Sequence, residues 1–135
     1  MRGIVLISHG RFAEGIKESL EMLCGECPQV SAVCLGSSDN TDEFSHRLRK
    51  AYKEARQYGD PLVFCDVMGG TPCNLALQQL TEECGAALIS GMNLPMLMTA
   101  ALEEADAERL LKEGKNGIAD VLAQMERRFV ECEEE

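Results

Sequence analysis

Ile4-Val5-Leu6-Ile7-Ser8-His9-Gly10 is the stretch from which the fold of this chain can be read. Four uninterrupted aliphatic residues end at a small hydroxyl residue, one of the chain's two histidines, and a glycine. A short continuous apolar run marks a strand buried on both faces, and in open α/β sheets ligands bind beyond the carboxyl ends of such strands. The arrangement returns at Leu62-Val63-Phe64-Cys65, which ends in Asp66 and continues as Val67-Met68-Gly69-Gly70-Thr71-Pro72-Cys73-Asn74. Two strand ends therefore carry a histidine and a carboxylate.

Between and beyond these strands the apolar period changes from continuous to helical. Phe12, Ile16, Leu20 and Leu23 recur at spacings of four, four and three, which predicts a helix with one core-facing stripe. Gly25 and Pro28 end it; Val30 to Leu35 reads as a second strand. Thr41 is the expected N-cap of a helix carrying Phe44, Leu48, Tyr52 and Ala55. Thr71-Pro72 starts a helix expected to reach about Cys84, Ala86 to Ile89 is a fourth strand, and a helical segment with Leu97, Met98 and Ala101 follows. A last helix is expected from about Ile118 to Phe129. Strands alternating with helices at this spacing imply right-handed βαβ units. The expected fold is a single α/β domain over residues 1–130, with an acidic tail at 131–135. Its doubly wound, mainly parallel sheet has the flavodoxin-like order 2-1-3-4 and helices on both faces.

Composition narrows the function classes. The chain has 135 residues, enough to bury roughly two thirds of the surface exposed when unfolded. A formal net charge of −10 offers no excess of Lys and Arg to displace counterions from phosphates, so nucleic acid is not an expected partner. No run approaches the roughly 20 apolar residues of a membrane span, and Ser8 and His9 interrupt the N-terminal run too early for a signal peptide. A cytoplasmic protein is expected. Seven cysteines, an odd number, do not suit a fully paired disulfide framework.

In the order 2-1-3-4, strands one and three are neighbours at the switch point, and the residues leaving their ends face one crevice. A carboxylate accepting from one ring nitrogen of His9 would leave the other unprotonated, the state needed to attack phosphorus. Asp66 would orient and His9 would attack. Gly69 and Gly70 permit close backbone approach, and the amides of Cys73 and Asn74 at the start of the next helix would meet phosphate oxygens. Thr71 either caps that helix or offers its hydroxyl to the phosphate or imidazole.

These two motifs, together with Ser90-Gly91-Met92-Asn93-Leu94-Pro95-Met96-Leu97, resemble the mannose-family EIIA domain of the bacterial sugar phosphotransferase system, and the resemblance spans the chain. It implies that His9 takes a phosphoryl group from HPr and passes it to an EIIB protein, which serves sugar uptake through membrane EIIC and EIID components. It further implies a homodimer, Asp66 as the partner of His9, and a crevice bordered by Gly10, Asn93, Leu94 and Pro95. Thr71 stands where the family usually has serine, Val67 where some members have threonine, and Cys73 where an aromatic is common. A C-terminal exchange strand, typical of the family, is not evident around Arg127 to Glu135, and EIIB is expected as a separate protein.

Other readings remain open at this level. The dihydroxyacetone-kinase phosphotransferase subunit shares the fold and the active histidine. A regulatory module phosphorylated on His9 would have the same site chemistry. Cys24-Gly25-Glu26-Cys27 has the spacing of a redox or zinc motif, but it follows a helix rather than opening one and lacks further ligands. Neither a metal nor an organic cofactor is expected. His46 falls on the polar side of its helix and is assigned no chemistry. Met92, Met96 and Met98 read as core gap-fillers or as an adaptable partner surface.

Overall fold

The computed structural model describes the backbone of residues 1–134 and the side chains of residues 1–127. The elements run β1 (Ile4–His9), α1 (Phe12–Cys24), β2 (Val30–Leu35), α2 (Thr41–Ala55), β3 (Leu62–Cys65), α3 (Thr71–Leu80), β4 (Ala87–Ile89), α4 (Leu94–Leu102), α5 (Ala107–Asn116) and α6 (Val121–Glu134). The four strands form one parallel sheet in the order β2-β1-β3-β4, as the alternation of strand and helix implied.

The period-2 geometry of a strand divides the first motif between two cores. Ile4 and Leu6 point to one face, with Phe64, Ala13, Ile16 and Leu20 from α1, Leu97 from α4 and Leu110 from α5. Val5 and Ile7 point to the other, with Val63, Cys65, Phe44, Leu48 and Tyr52 from α2 and Ala76 from α3. Residues 4–8 are 0% exposed, so β1 is the centre of the molecule. Burying each aliphatic side chain there is worth about 1.5–3 kcal/mol. His9, paired to Leu35 of β2, is where this central strand emerges.

Several local expectations are corrected. Asn40, not Thr41, caps α2; its Oδ1 accepts from the amides of Asp42 at 2.7 Å and Glu43 at 3.4 Å. Phe12 and Leu23 are 50% and 59% exposed, because α1 turns Ala13, Ile16 and Leu20 to the sheet and leaves the ends of the expected stripe outside. α3 stops at Leu80, where the Glu83 amide bonds the Leu80 carbonyl in a tighter turn, and positive-φ Gly85 redirects the chain to β4. The helix α5 was not anticipated; the Asp106 cap and the segregation of polar from apolar residues along the segment were the signals that could have found it. The last helix starts at Val121, with the Asp120 carboxylate accepting from the Ala123 amide at 3.1 Å. Its backbone extends through the expected acidic tail to Glu134, while the tail's side chains and Glu135 lie outside the described residues.

Candidate phosphoryl-transfer site

Three chain crossings converge at the carboxyl ends of β1 and β3. At the first, Gly10 takes φ +56°, a region comfortable for glycine, and its amide donates to the Leu35 carbonyl at 2.7 Å. Ser8, fully buried, accepts the Ala13 amide on its Oγ at 2.7 Å and so ties the start of α1 to the strand beneath His9. This anchoring role was not foreseen; a small hydroxyl residue just before the histidine was its only signal in the sequence.

At the second crossing Asp66 leaves β3 and meets His9. Asp66 Oδ2 accepts from the His9 amide at 2.9 Å and stands 2.8 Å from His9 Nδ1, while Oδ1 accepts from the Val67 amide at 2.9 Å. Burial pushes the Asp66 carboxyl up, but the His9 amide, the imidazole and the Val67 amide together outweigh it and hold the group below the usual carboxylate range. The carboxylate is therefore ionised at neutral pH and an acceptor only. In a neutral ring this contact selects the tautomer with hydrogen on Nδ1 and the lone pair on Nε2. The His9 side chain is half exposed, whereas Asp66 is largely covered.

Gly70 completes the packing of the ring. Its φ of −75° is ordinary, but a Cβ there would lie 2.5 Å from His9 Cε1 and 3.2 Å from Nε2. The glycine is required by the imidazole, not by the backbone turn. Gly69 is the reverse case, with φ +82° and nothing within 4 Å of its Cβ position.

The helix start lies one residue earlier than expected, and that changes which amides face the site. Gly70 is the N-cap of α3, Thr71 its first residue, and Pro72 follows. The Asn74 amide is already committed to the Gly70 carbonyl at 2.9 Å, and its Nδ2 donates to the Gly69 carbonyl at 3.1 Å. Asn74 therefore closes the loop rather than offering its amide. The unpaired amides of the first turn belong to Gly70, Thr71 and Cys73. Thr71 is exposed and makes no side-chain cap.

The third crossing reaches the site by its backbone. The Gly91 amide donates to the Asp66 carbonyl at 3.0 Å and the Met92 amide to the Cys65 carbonyl at 3.1 Å. Asn93, Leu94 and Pro95, expected at the crevice border, launch α4. Asn93 Oδ1 accepts the Met96 amide at 3.1 Å and its Nδ2 donates to the Gly114 carbonyl at 3.0 Å. Leu94 packs on the α1-side core and Pro95 against Gly117 of the α5 end. Met92 and Met96 are buried in the same core and Met98 packs on it, which is the gap-filling use of methionine. His46 is exposed.

Among the described residues, no three His, Cys, Asp or Glu side chains are grouped closely enough to hold a metal ion. Cys24 and Cys27 are free thiols there. No described helix is long and apolar enough to cross a membrane.

Comparison with known proteins points the same way. The family model EIIA-man, described as PTS system fructose IIA component, matches residues 3–115. The fructose-specific EIIA component of Bacillus subtilis is 29% identical over 98 residues, covering 73% of this chain and 67% of that protein. The sorbose-specific EIIA component of Lacticaseibacillus casei is 26% identical over 99 residues, covering 73% and 71%. The crystal structure of the PTS IIA protein associated with the fucose utilization operon of Streptococcus pneumoniae superposes with a TM-score of 0.84 at 28% identity, covering 92% of this chain and 96% of that one. The chain belongs to the EIIA-man family and is a mannose-type EIIA component of the sugar phosphotransferase system.

Proposed function

We propose that His9 Nε2 is the phosphoryl acceptor of this component, taking the group from phosphorylated HPr and passing it to an EIIB protein. The observation that carries this reading is the contact of 2.8 Å between His9 Nδ1 and a carboxylate whose two oxygens are also held by backbone amides. With Nδ1 so engaged, Nε2 attacks the phosphorus on the donor. A P–N bond forms at His9 as the one on the donor breaks, and the second transfer repeats the exchange toward EIIB. Asp66 stabilises the positive charge that the ring develops while phosphorylated. The amides of Gly70, Thr71 and Cys73, at the positive end of α3, meet the phosphoryl oxygens, and the Thr71 hydroxyl is available at the same helix end. Gly69 supplies the turn that lets the loop close.

The half-exposed imidazole suits a donor and an acceptor that are both proteins, the first presenting a phosphorylated side chain and the second a free one. The relay works in the cytoplasm as a homodimer and meets the membrane EIIC and EIID components only through EIIB. Peptide mapping of the protein after incubation with phosphoenolpyruvate, Enzyme I and HPr, held alkaline to preserve phosphohistidine, tests the assignment. One phosphoryl group on the His9 peptide that departs when EIIB is added is the expected result. A label on any other residue, or none, removes His9 from the reaction; a label on His9 that no EIIB discharges makes the protein a phosphorylated regulator.

A further inference from the structure

The helix α6 is capped but uncovered. The Asp120 carboxylate accepts the Ala123 amide at its start, and its backbone runs for 14 residues, Val121–Glu134, a length of about 21 Å. Every described residue from Ile118 to Arg127 is exposed, including four large apolar ones: Ile118 at 78%, Val121 at 63%, Leu122 at 77% and Met125 at 45%. A helix this short is marginal in water by itself, and helices in proteins are held chiefly by the packing of an apolar face. No described part of the domain supplies that packing to residues 118–127. By contrast α5, the helix before it, seats Leu110 in the core on the α1 side of the sheet.

The spacing of the apolar residues indicates what covers it. Leu122, Met125, Phe129 and Cys132 follow one another at intervals of three, four and three. That is the a-d-a-d register of a two-stranded seam, narrower than the face by which a helix lies on a sheet. The same register puts Arg128 at a g position and Glu133 at the next e position, five residues on. In a parallel pair a g position faces the following e position of the other helix, so a second identical helix brings an opposite charge to each. An antiparallel pair matching the same seam would instead bring Glu126 near its own copy and separate the two copies of Cys132.

We propose that two copies of this chain pair through α6, in parallel, with positions 122, 125, 129 and 132 of each on the shared seam. This names the surface of the homodimer and rests on that reading; it is independent of the role of His9. The contact is isologous, the same face from both copies, so one pair closes it and no longer assembly grows. Two heptads make a small interface, at the low end of specific protein contacts, and the dimer therefore dissociates on dilution. Neither His9 nor the first turn of α3 belongs to the seam, so pairing leaves the relay site to its partner proteins.

Sedimentation velocity of the full chain over a range of concentrations reads the association, and a short bis-maleimide followed by peptide mapping reads the orientation. Expected are a dimer that dissociates on dilution and a cross-linked pair of Cys132 peptides, absent in Cys132→Ala. The double variant Leu122→Glu, Met125→Glu changes two exposed positions and should be a folded monomer at concentrations where the wild-type chain is dimeric. Arg127→Glu, at an f position away from the seam, should remain a dimer. A wild-type chain that is monomeric throughout overturns the proposal and the homodimer reading together. A double variant that dimerises as the wild-type chain does overturns the α6 surface and leaves the homodimer standing on another face. Equal loss of the dimer in Arg127→Glu assigns the effect to charge and overturns the seam. A dimer that yields no Cys132 pair overturns the parallel arrangement.

Discussion

Replacing Gly70 by alanine isolates the contribution of imidazole placement to transfer. The backbone at Gly70, with φ −75° and ψ 167°, suits alanine without strain, so the added methyl acts only through what it touches. It would stand 2.5 Å from His9 Cε1, where carbon atoms normally keep about 3.5–4.0 Å, and 3.3 Å from Val67 Cγ2. The ring must retreat by about 1 Å toward solvent, where half of its surface already lies. A shift of that size stretches the Nδ1 contact with Asp66 from 2.8 Å to beyond about 3.5 Å, outside hydrogen-bond range. Nε2 loses both its fixed tautomer and its place over the α3 amides. The expected loss is about 10²-fold in single-turnover uptake from phosphorylated HPr, or about 2.7 kcal/mol of barrier. Stability should change by about 1 kcal/mol or less, because the displaced ring is rehydrated. Gly69→Ala is the counterpart: its φ of +82° costs an alanine about 1–2 kcal/mol of stability, while the ring stays in place and uptake falls much less. Rapid-quench uptake and urea unfolding on both variants separate the two effects. A folded Gly70→Ala protein that takes up phosphate within about twofold of wild type refutes the packing argument.

His9→Ala should abolish phosphoryl acceptance and leave the urea midpoint nearly unchanged, since the side chain lies at the sheet edge rather than in either core; any residual label at the wild-type level counts against it. Asp66→Asn removes a hydrogen bond to a charged group worth about 1.5–3 kcal/mol, so single-turnover transfer should slow about 10- to 150-fold in a protein that still folds, and an unchanged rate would take Asp66 out of the mechanism. Asn93→Ala loses a helix cap and the bond to the Gly114 carbonyl, at about 1–3 kcal/mol of stability by urea unfolding, with the uptake rate retained; a loss of uptake without a loss of stability would return Asn93 to the site. Asp66 is held below its unfolded value of about 3.9, so its stabilisation is complete above that value and disappears as pH falls through the lower folded one. The stability gap between wild type and Asp66→Asn should hold from pH 7 to about pH 4 and narrow only below it; closure between pH 7 and 5 would contradict this.

The sheet was legible because burial on both faces writes itself as unbroken apolar runs, and Ile4 to Ile7 and Leu62 to Cys65 are such runs. The pairing of His9 with Asp66 followed from strand order alone. What stayed hidden depended on contacts that no local pattern encodes. A glycine cap carries no side chain to announce it, so Thr71 drew the helix start one residue late and put Asn74 among the free amides. The need for Gly70 arises from an imidazole 61 positions earlier in the chain, visible only once β1 and β3 are side by side. The capping task of Asn93 was not legible, because its partner Gly114 belongs to a helix that was not read from the sequence.

The His9–Asp66 pair joins residues 57 positions apart, and β1 reaches both of its neighbours only after later segments have been laid down. In folding terms the reactive centre is a high-contact-order assembly: α1 and α2 can form from local sequence, but the dyad waits for the loop between β1 and β3 to close. Partly folded chains, however helical, therefore hold a histidine without its tautomer lock. During synthesis His9 therefore stays without its carboxylate partner until β3 has left the ribosome.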